Sequence, residues 1–162
     1  MEIKVSADIK ALESLTRKYP AASQEARVSR ITEALLLLEA EIKRATPVGA
    51  GPVHLRDTIF QKVETTGQSV WGMIGTPAKY GEALEFGSRP HFPPVAPIQH
   101  WVERVLGISD KEAKSVAFLI ARAISKRGTK ARGMFGKSME KRKAAIIRIL
   151  ELIPSDILKK IQ

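Results

Sequence analysis

The 162-residue chain contains no cysteine. That absence removes disulfides, thiolate catalysis and cysteine-ligated zinc together. Aromatic residues are scarce, at 6%, so a core must rest on Leu, Ile, Val and Ala. No run approaches the roughly 20 apolar residues needed to span a bilayer. No apolar stretch follows Met1-Glu2-Ile3-Lys4 in the manner of a signal peptide, and a cytoplasmic site of synthesis and use is the simplest expectation. The hydrophobic share of 44% is ordinary for a globular protein. At this length the chain is expected to form one domain, 1–162.

Acidic residues are thin in the second half. Residues 1–81 hold 11 Lys/Arg against 9 Asp/Glu, which leaves 16 against 8 for residues 82–162 and a formal net charge of +10. Between 122 and 143 stand Arg122, Lys126, Arg127, Lys130, Arg132, Lys137, Lys141, Arg142 and Lys143, with Glu140 the one acid. Such asymmetry speaks of anionic partners: nucleic acid, an acidic protein or a membrane face. Phosphate neutralisation by these cations would give salt-dependent, sequence-blind affinity. A solvated basic helix face is the plainer alternative. No nucleic-acid-binding motif is present, and only Phe135 is at hand for stacking.

Alternation at Glu2 to Val5 predicts a short strand. Ser6 is a suitable cap for a helix from Ala7 to about Lys18. A long helix from Pro20 to about Ala45 follows from Val28, Ile31, Leu35, Leu38 and Ile42 at steps of three and four, with Leu36 and Leu37 widening the stripe. Thr46 to Pro52, with two prolines and two glycines, stops it. Two β-rich runs, Thr58–Thr65 and Ser69–Gly75, joined at Thr66-Gly67-Gln68, predict a hairpin. Trp71, Met73 and Ile74 put apolar groups on both faces of its second strand. Either both faces are covered or one meets another protein.

Tyr80 to Pro94 is the most unusual stretch. Tyr80, Leu84 and Phe86 are expected to be partly core. Gly87 is suited to the positive φ that ends a helical turn, and Pro90, Pro93, Pro94 and Pro97 hold the backbone extended. Ser88 to Pro94 then forms a docking edge. Ile98, Trp101, Val102 and Val105 mark a further helix. Another, capped by Ser109 or Asp110, carries Ala113, Val116, Ala117, Ile120 and Ile124. Gly128 to Gly133 is expected to be a flexible basic loop. A last long helix from about Phe135 to Leu152 buries Met139, Ile146, Ile149 and Ile153, and Pro154 breaks it. The class is α+β: a long N-terminal helix on a small antiparallel sheet (hairpin about 58–75), then a helical C-terminal part.

Catalytic sets are hard to assemble. His54, His91 and His100 stand alone, without metal-ligand spacing. A site built from His54, Asp57, Glu82, Glu85 and His91 is conceivable, but scattered surface polar residues explain the same pattern. Glu82 and Glu85 fall on one helical face, as on any solvated turn. No phosphate-cradling glycine loop occurs, since Gly128-Thr129-Lys130 lacks the required spacing. No catalytic, metal or cofactor residue is assigned.

Order of motifs supplies a further signal. A helix ends in Thr46-Pro47-Val48, a loop containing Gly51 follows, and Leu55-Arg56-Asp57-Thr58-Ile59 opens the hairpin. Tyr80 and Glu85-Phe86-Gly87-Ser88-Arg89 come next, then the prolines. In this the chain resembles the small minor tail-component or neck proteins (head–tail joining, tail-completion) of long-tailed bacteriophages and prophages. The likeness covers roughly residues 8–94. The C-terminal half departs from it: a helical insertion, 97–132, separates this family-like core, 1–96, from a C-terminal helical part, 133–162. Gly133 to Met139 there resembles the counterpart of the family's closing segment.

The resemblance implies a non-enzymatic virion protein, assembled in the host cytoplasm and sited at the head-proximal end of the tail, in a ring of copies. The implied partners are portal or connector, tail-tube and tail-terminator proteins, with no membrane and no cofactor. Residues assigned to partner contacts are Arg56, Trp71, Tyr80, Phe86, Arg89, His91 and Phe92. Lys126, Arg127, Lys130, Arg132 and Lys137 are assigned to DNA or an acidic neighbour. A basic, non-enzymatic nucleic-acid-binding module is the alternative.

Overall fold

A computed structural model describes residues 2–6, 12–47, 54–67 and 69–162. The fold is α+β and mainly helical. Its elements are β1 (Glu2–Ser6), α1 (Leu12–Lys18), α2 (Pro20–Ala45), a 3-10 turn (Leu55–Thr58), β2 (Phe60–Thr66), β3 (Ser69–Gly75), α3 (Tyr80–Phe86), α4 (Val95–Trp101), a π turn (Val102–Leu106), α5 (Asp110–Arg127), α6 (Met134–Leu150) and α7 (Ile153–Lys160). Contacts divide the chain into two compact units.

The first unit comprises 1–45, 59–76 and 135–162. Its sheet is antiparallel in the order β1-β3-β2. Gly75 of β3 pairs with Glu2 on one side and Phe60 on the other, and Trp71 with Ser6 and Glu64. The hairpin turns at Gly67, whose φ is +58°. Helix α2 lies across one sheet face. Ile31, Leu35, Leu38 and Ile42 are all buried, as their spacing requires. The approach is close because β3 carries Gly72 there: a Cβ at that position would come within 2.7 Å of both Ile31 and Leu35. Val70 and Ile74 are buried, while Trp71 and Met73 are half-buried on the opposite face. Leu36 does not widen the buried stripe. It is 54% exposed.

Two polar devices fix the C-terminal helices to α2. Arg30 Nε donates to Asp156 Oδ2 at 2.5 Å, and Lys160 Nζ reaches Glu25 at 2.6 Å, so α7 is tied along its length. Glu41, buried on α2, accepts from Lys141 Nζ at 2.5 Å and from Arg142 Nε at 2.8 Å, with Arg44 3.0 Å away. Hydrogen bonds from Lys141 and Arg142 pull the Glu41 carboxyl down to about 2. The basic run 122–143 is therefore not one solvated face, because two of its cations are engaged with Glu41.

Several boundaries differ from the sequence expectation. Ser6 is the last residue of β1; the helix start expected at Ala7 falls on 7–11, which lie outside the described residues, as do 48–53 and Gln68. Helix α6 stops at Leu150, and Pro154 sits in the first turn of α7, where proline loses no helical hydrogen bond. Met139 and Ile149 are half-buried, whereas Ile146 and Ile153 are buried.

The second unit comprises 46–58 and 77–134. Its core is Val102, Ala113 and Ala117, surrounded by Val95, Ile98, Trp101, Ile108, Val116 and Ile120. Alanines at steps of four on α5, continued by buried Ala121, let α4 pack against it closely. Val105, expected on the buried side of α4, is 44% exposed, because the π turn rotates it away from that stripe. In the second unit Thr46 Oγ1 donates to Met134 Sδ at 3.6 Å. No helix is long and apolar enough to cross a membrane among the described residues.

Candidate partner-binding surface

The candidate surface starts where α3 ends. Gly87 takes φ +78° and turns the chain into the proline-rich strap Ser88–Pro94. The strap does not stand alone. Ser88 and Thr129 form an antiparallel bridge, each backbone N–H donating to the other's carbonyl at 3.2 Å, and their hydroxyls lie 3.0 Å apart. Arg132 N donates to Leu84 O at 2.8 Å and Gly133 N to Glu85 O at 3.0 Å. Those carbonyls belong to the last turn of α3, which has no intrahelical donor for them. The 128–133 segment is therefore the C-terminal cap of α3, stitched down by four backbone hydrogen bonds, and not the flexible loop its glycines suggested.

Two glycines permit the crossing. A Cβ on Gly87 would collide with the Thr129 carbonyl oxygen and come within 2.9 Å of Ala131 N. One on Gly128 would collide with Ser88 O and come within 2.9 Å of the Arg89 carbonyl carbon. Both residues also have positive φ. Gly128 N closes α5 by donating to Ile124 O at 2.8 Å.

Burial in α3 is opposite to the expectation. Glu85 and Gly81 are buried, while Tyr80 is exposed and Phe86 is 70% exposed. With Leu84 half-buried, the aromatic residues of this turn are surface and not core. Glu82 is exposed where Glu85 is buried, so the two do not make a carboxylate pair. Farther along the strap the chain bends at Pro90, where His91 Nδ1 donates to Arg89 O at 2.9 Å. Phe92 then packs on Phe118 of α5, ring centroids 6.1 Å apart and tilted by 58°.

The expected contact residues sort as follows. Arg89, His91, Phe92, Lys126, Arg127, Lys130 and Arg132 are exposed along the strap, the end of α5 and the segment capping α3. Tyr80 and Phe86 are exposed at the two ends of α3, and Arg56 is exposed on the 3-10 turn. Trp71 and Lys137 belong to the first unit. Two exposed residues of the surface escaped the sequence reading, Phe118 and Leu119. Their signal was negative: both fall off the Ala113–Ala117–Ile120–Ile124 stripe and so have no place in the core.

Among the described residues no group of three His, Asp or Glu side chains converges to hold a metal ion, His54, Asp57, Glu82, Glu85 and His91 included. Comparison with known proteins gave no match to a family model, to a curated protein or to a solved structure.

Proposed function

We propose that this chain is a structural protein of long-tailed phage particles or prophages that joins or completes the tail at its head-proximal end. It acts through protein contacts, as a ring of copies. The reading rests on the two sequence blocks, Pro47 to Ile59 and Tyr80 to Arg89, in order about a β-hairpin.

One observation carries it. The second block is divided between residues that hold the strap and residues that face outward. Gly87 and Ser88 are fixed against Thr129, while Phe86 and Arg89 on either side remain exposed. A motif serving the core alone would bury its aromatic residue. A braced strap that displays one is suited to docking, because a stiffened segment loses little entropy on binding.

Light scattering on the purified chain, alone and mixed with portal or tail-tube protein, tests the proposal. A ring or a complex is expected, and a strict monomer that binds neither sinks it. In a phage carrying the gene, Phe86→Ala or Arg89→Ala should leave heads and tails unjoined. The second reading, a basic module for nucleic acid, is favoured by the exposed cations of 122–132. It requires DNA binding that weakens steeply with salt, and no binding at low salt ends it.

A further inference from the structure

We propose that the strap and the adjoining outer side of α5 form a docking surface for an acidic segment of a partner protein that carries an aromatic side chain. The proposal rests on reading the strap as a docking edge and adds the chemistry of what docks there.

The geometry fixes strap and helix side by side. At one end the backbone of Ser88 and Arg89 lies against Gly128, at the close of α5. At the other, Phe92 meets Phe118. From Phe118 to Gly128 the helix rises about 15 Å, and the chain from Ser88 to Phe92, bent at Pro90, can span at most about 13 Å. The strap thus runs antiparallel along the last three turns of α5. Arg122 and Lys126 follow Phe118 at successive steps of four, on one side of the helix.

Three large apolar side chains are left in water beside these cations. Phe92 is 54% exposed, Phe118 50% and Leu119 59%. Pro93, directly after Phe92, restricts the Phe92 backbone and disfavours helical conformation there. Residues 86–102 and 113–134 include seven Lys/Arg and no Asp or Glu: Arg89, Lys114, Arg122, Lys126, Arg127, Lys130 and Arg132. All seven are exposed, and among the described residues none is in an ion pair. The nearest acid along the outside of α5 is Glu112, two turns before Leu119.

Charge complementarity selects the occupant. A second copy presenting the same surface sets cation against cation. Duplex DNA satisfies the cations but keeps its base faces stacked inside the helix, offering Phe92, Phe118 and Leu119 little more than thymine methyls. Those two rings also pack on each other at a tilt and are not parallel platforms for stacked bases. Carboxylates flanking one aromatic side chain satisfy both halves of the surface, the aromatic anchoring in the way of interface hot spots.

The test uses fluorescence anisotropy on the full chain at physiological salt. The probes are a labelled Glu/Asp-rich peptide with a central tryptophan, its tryptophan-to-serine version, duplex DNA and single-stranded oligothymidine. The tryptophan peptide should bind at least about tenfold more tightly than the serine peptide. Phe118→Ser should abolish that difference, and Arg122→Glu with Lys126→Glu should weaken both peptides. Each replaced side chain is exposed, and circular dichroism of each variant checks the fold. Equal affinity for the two peptides, or none for either, overturns the proposal. Duplex DNA binding more tightly than the tryptophan peptide, indifferent to Phe118→Ser, makes the surface a phosphate-binding one. Oligothymidine binding lost with Phe118→Ser makes it a single-strand platform. Peptide binding by a chain that stays a strict monomer and binds neither portal nor tail-tube protein would remove the tail-joining reading and leave this surface standing.

Discussion

Gly107 and Gly128 have nearly the same backbone, φ +69° and +68°, but opposite surroundings. A Cβ on Gly107 meets nothing within 4 Å, whereas one on Gly128 collides with the Ser88 carbonyl. Gly107→Ala should therefore cost about 1 kcal/mol, for left-handed backbone alone. Gly128→Ala should cost on the order of 3 kcal/mol, since the strap must also move. Urea unfolding of the two variants checks the difference, and equal losses would mean that the crossing does not constrain the fold. Glu41 supplies a second test. Its folded carboxyl titrates at about 2, well below its ordinary 4.5. Its contribution is thus present in full above pH 4.5 and fades as pH falls from there toward 2. Asp156, held low by Arg30, acts in the same direction. Glu41→Gln should lower stability at neutral pH and flatten its decline with acid, as thermal melts across that range will report.

Helix α2 shows how far an element can be read before it is seen. Its limits and four of its five stripe positions follow from spacing, because one amphipathic face was to be buried and periodicity records that demand. Leu36 marks the limit: three leucines beside Leu35 all look like core, and only the position of the sheet decides among them. Leu38→Ala should accordingly cost about 2–5 kcal/mol, while Leu36→Ala should stay within about 0.5 kcal/mol, by chemical denaturation. The hairpin was equally legible, since turn and alternation are local signals. The capping of α3 was not. It joins Leu84 and Glu85 to Arg132 and Gly133 through backbone groups that every sequence possesses, so glycine content could only suggest flexibility where the chain is in fact bonded. Glu85 and Phe86 were misjudged for the same reason. Hydrophobicity puts phenylalanine inside, and the exchange becomes visible only in the folded chain, where Glu85 is buried and Phe86 exposed.

For the whole molecule, the two contact units are each provided with a reporter. Trp71 belongs to the first and Trp101 to the second, each half-buried. Single-tryptophan variants, Trp71→Phe and Trp101→Phe, therefore follow each unit through denaturation. Gly128→Ala should shift the transition seen by Trp101 more than that seen by Trp71, and equal shifts would mean that the chain unfolds as one body. Charge was legible at this scale as an imbalance, though not in its use: Lys141 and Arg142 secure Glu41 within the first unit, and the cations between 122 and 132 remain on the surface of the second.

The Ser88–Thr129 bridge has a consequence for how such a chain varies. Residues 89–128, which contain the core of the second unit, begin and end at this one crossing, their two ends held by a pair of backbone hydrogen bonds. Chain that departs and re-enters at the same place can be lengthened, shortened or exchanged without moving its anchorage, as with inserted domains generally. The stretch carrying α4, α5 and both exposed phenylalanines, Phe92 and Phe118, thus has the adjacent ends of an inserted domain. On the docking proposal, partner choice can be rewritten there while Gly87, Ser88 and the cap of α3 stay as they are.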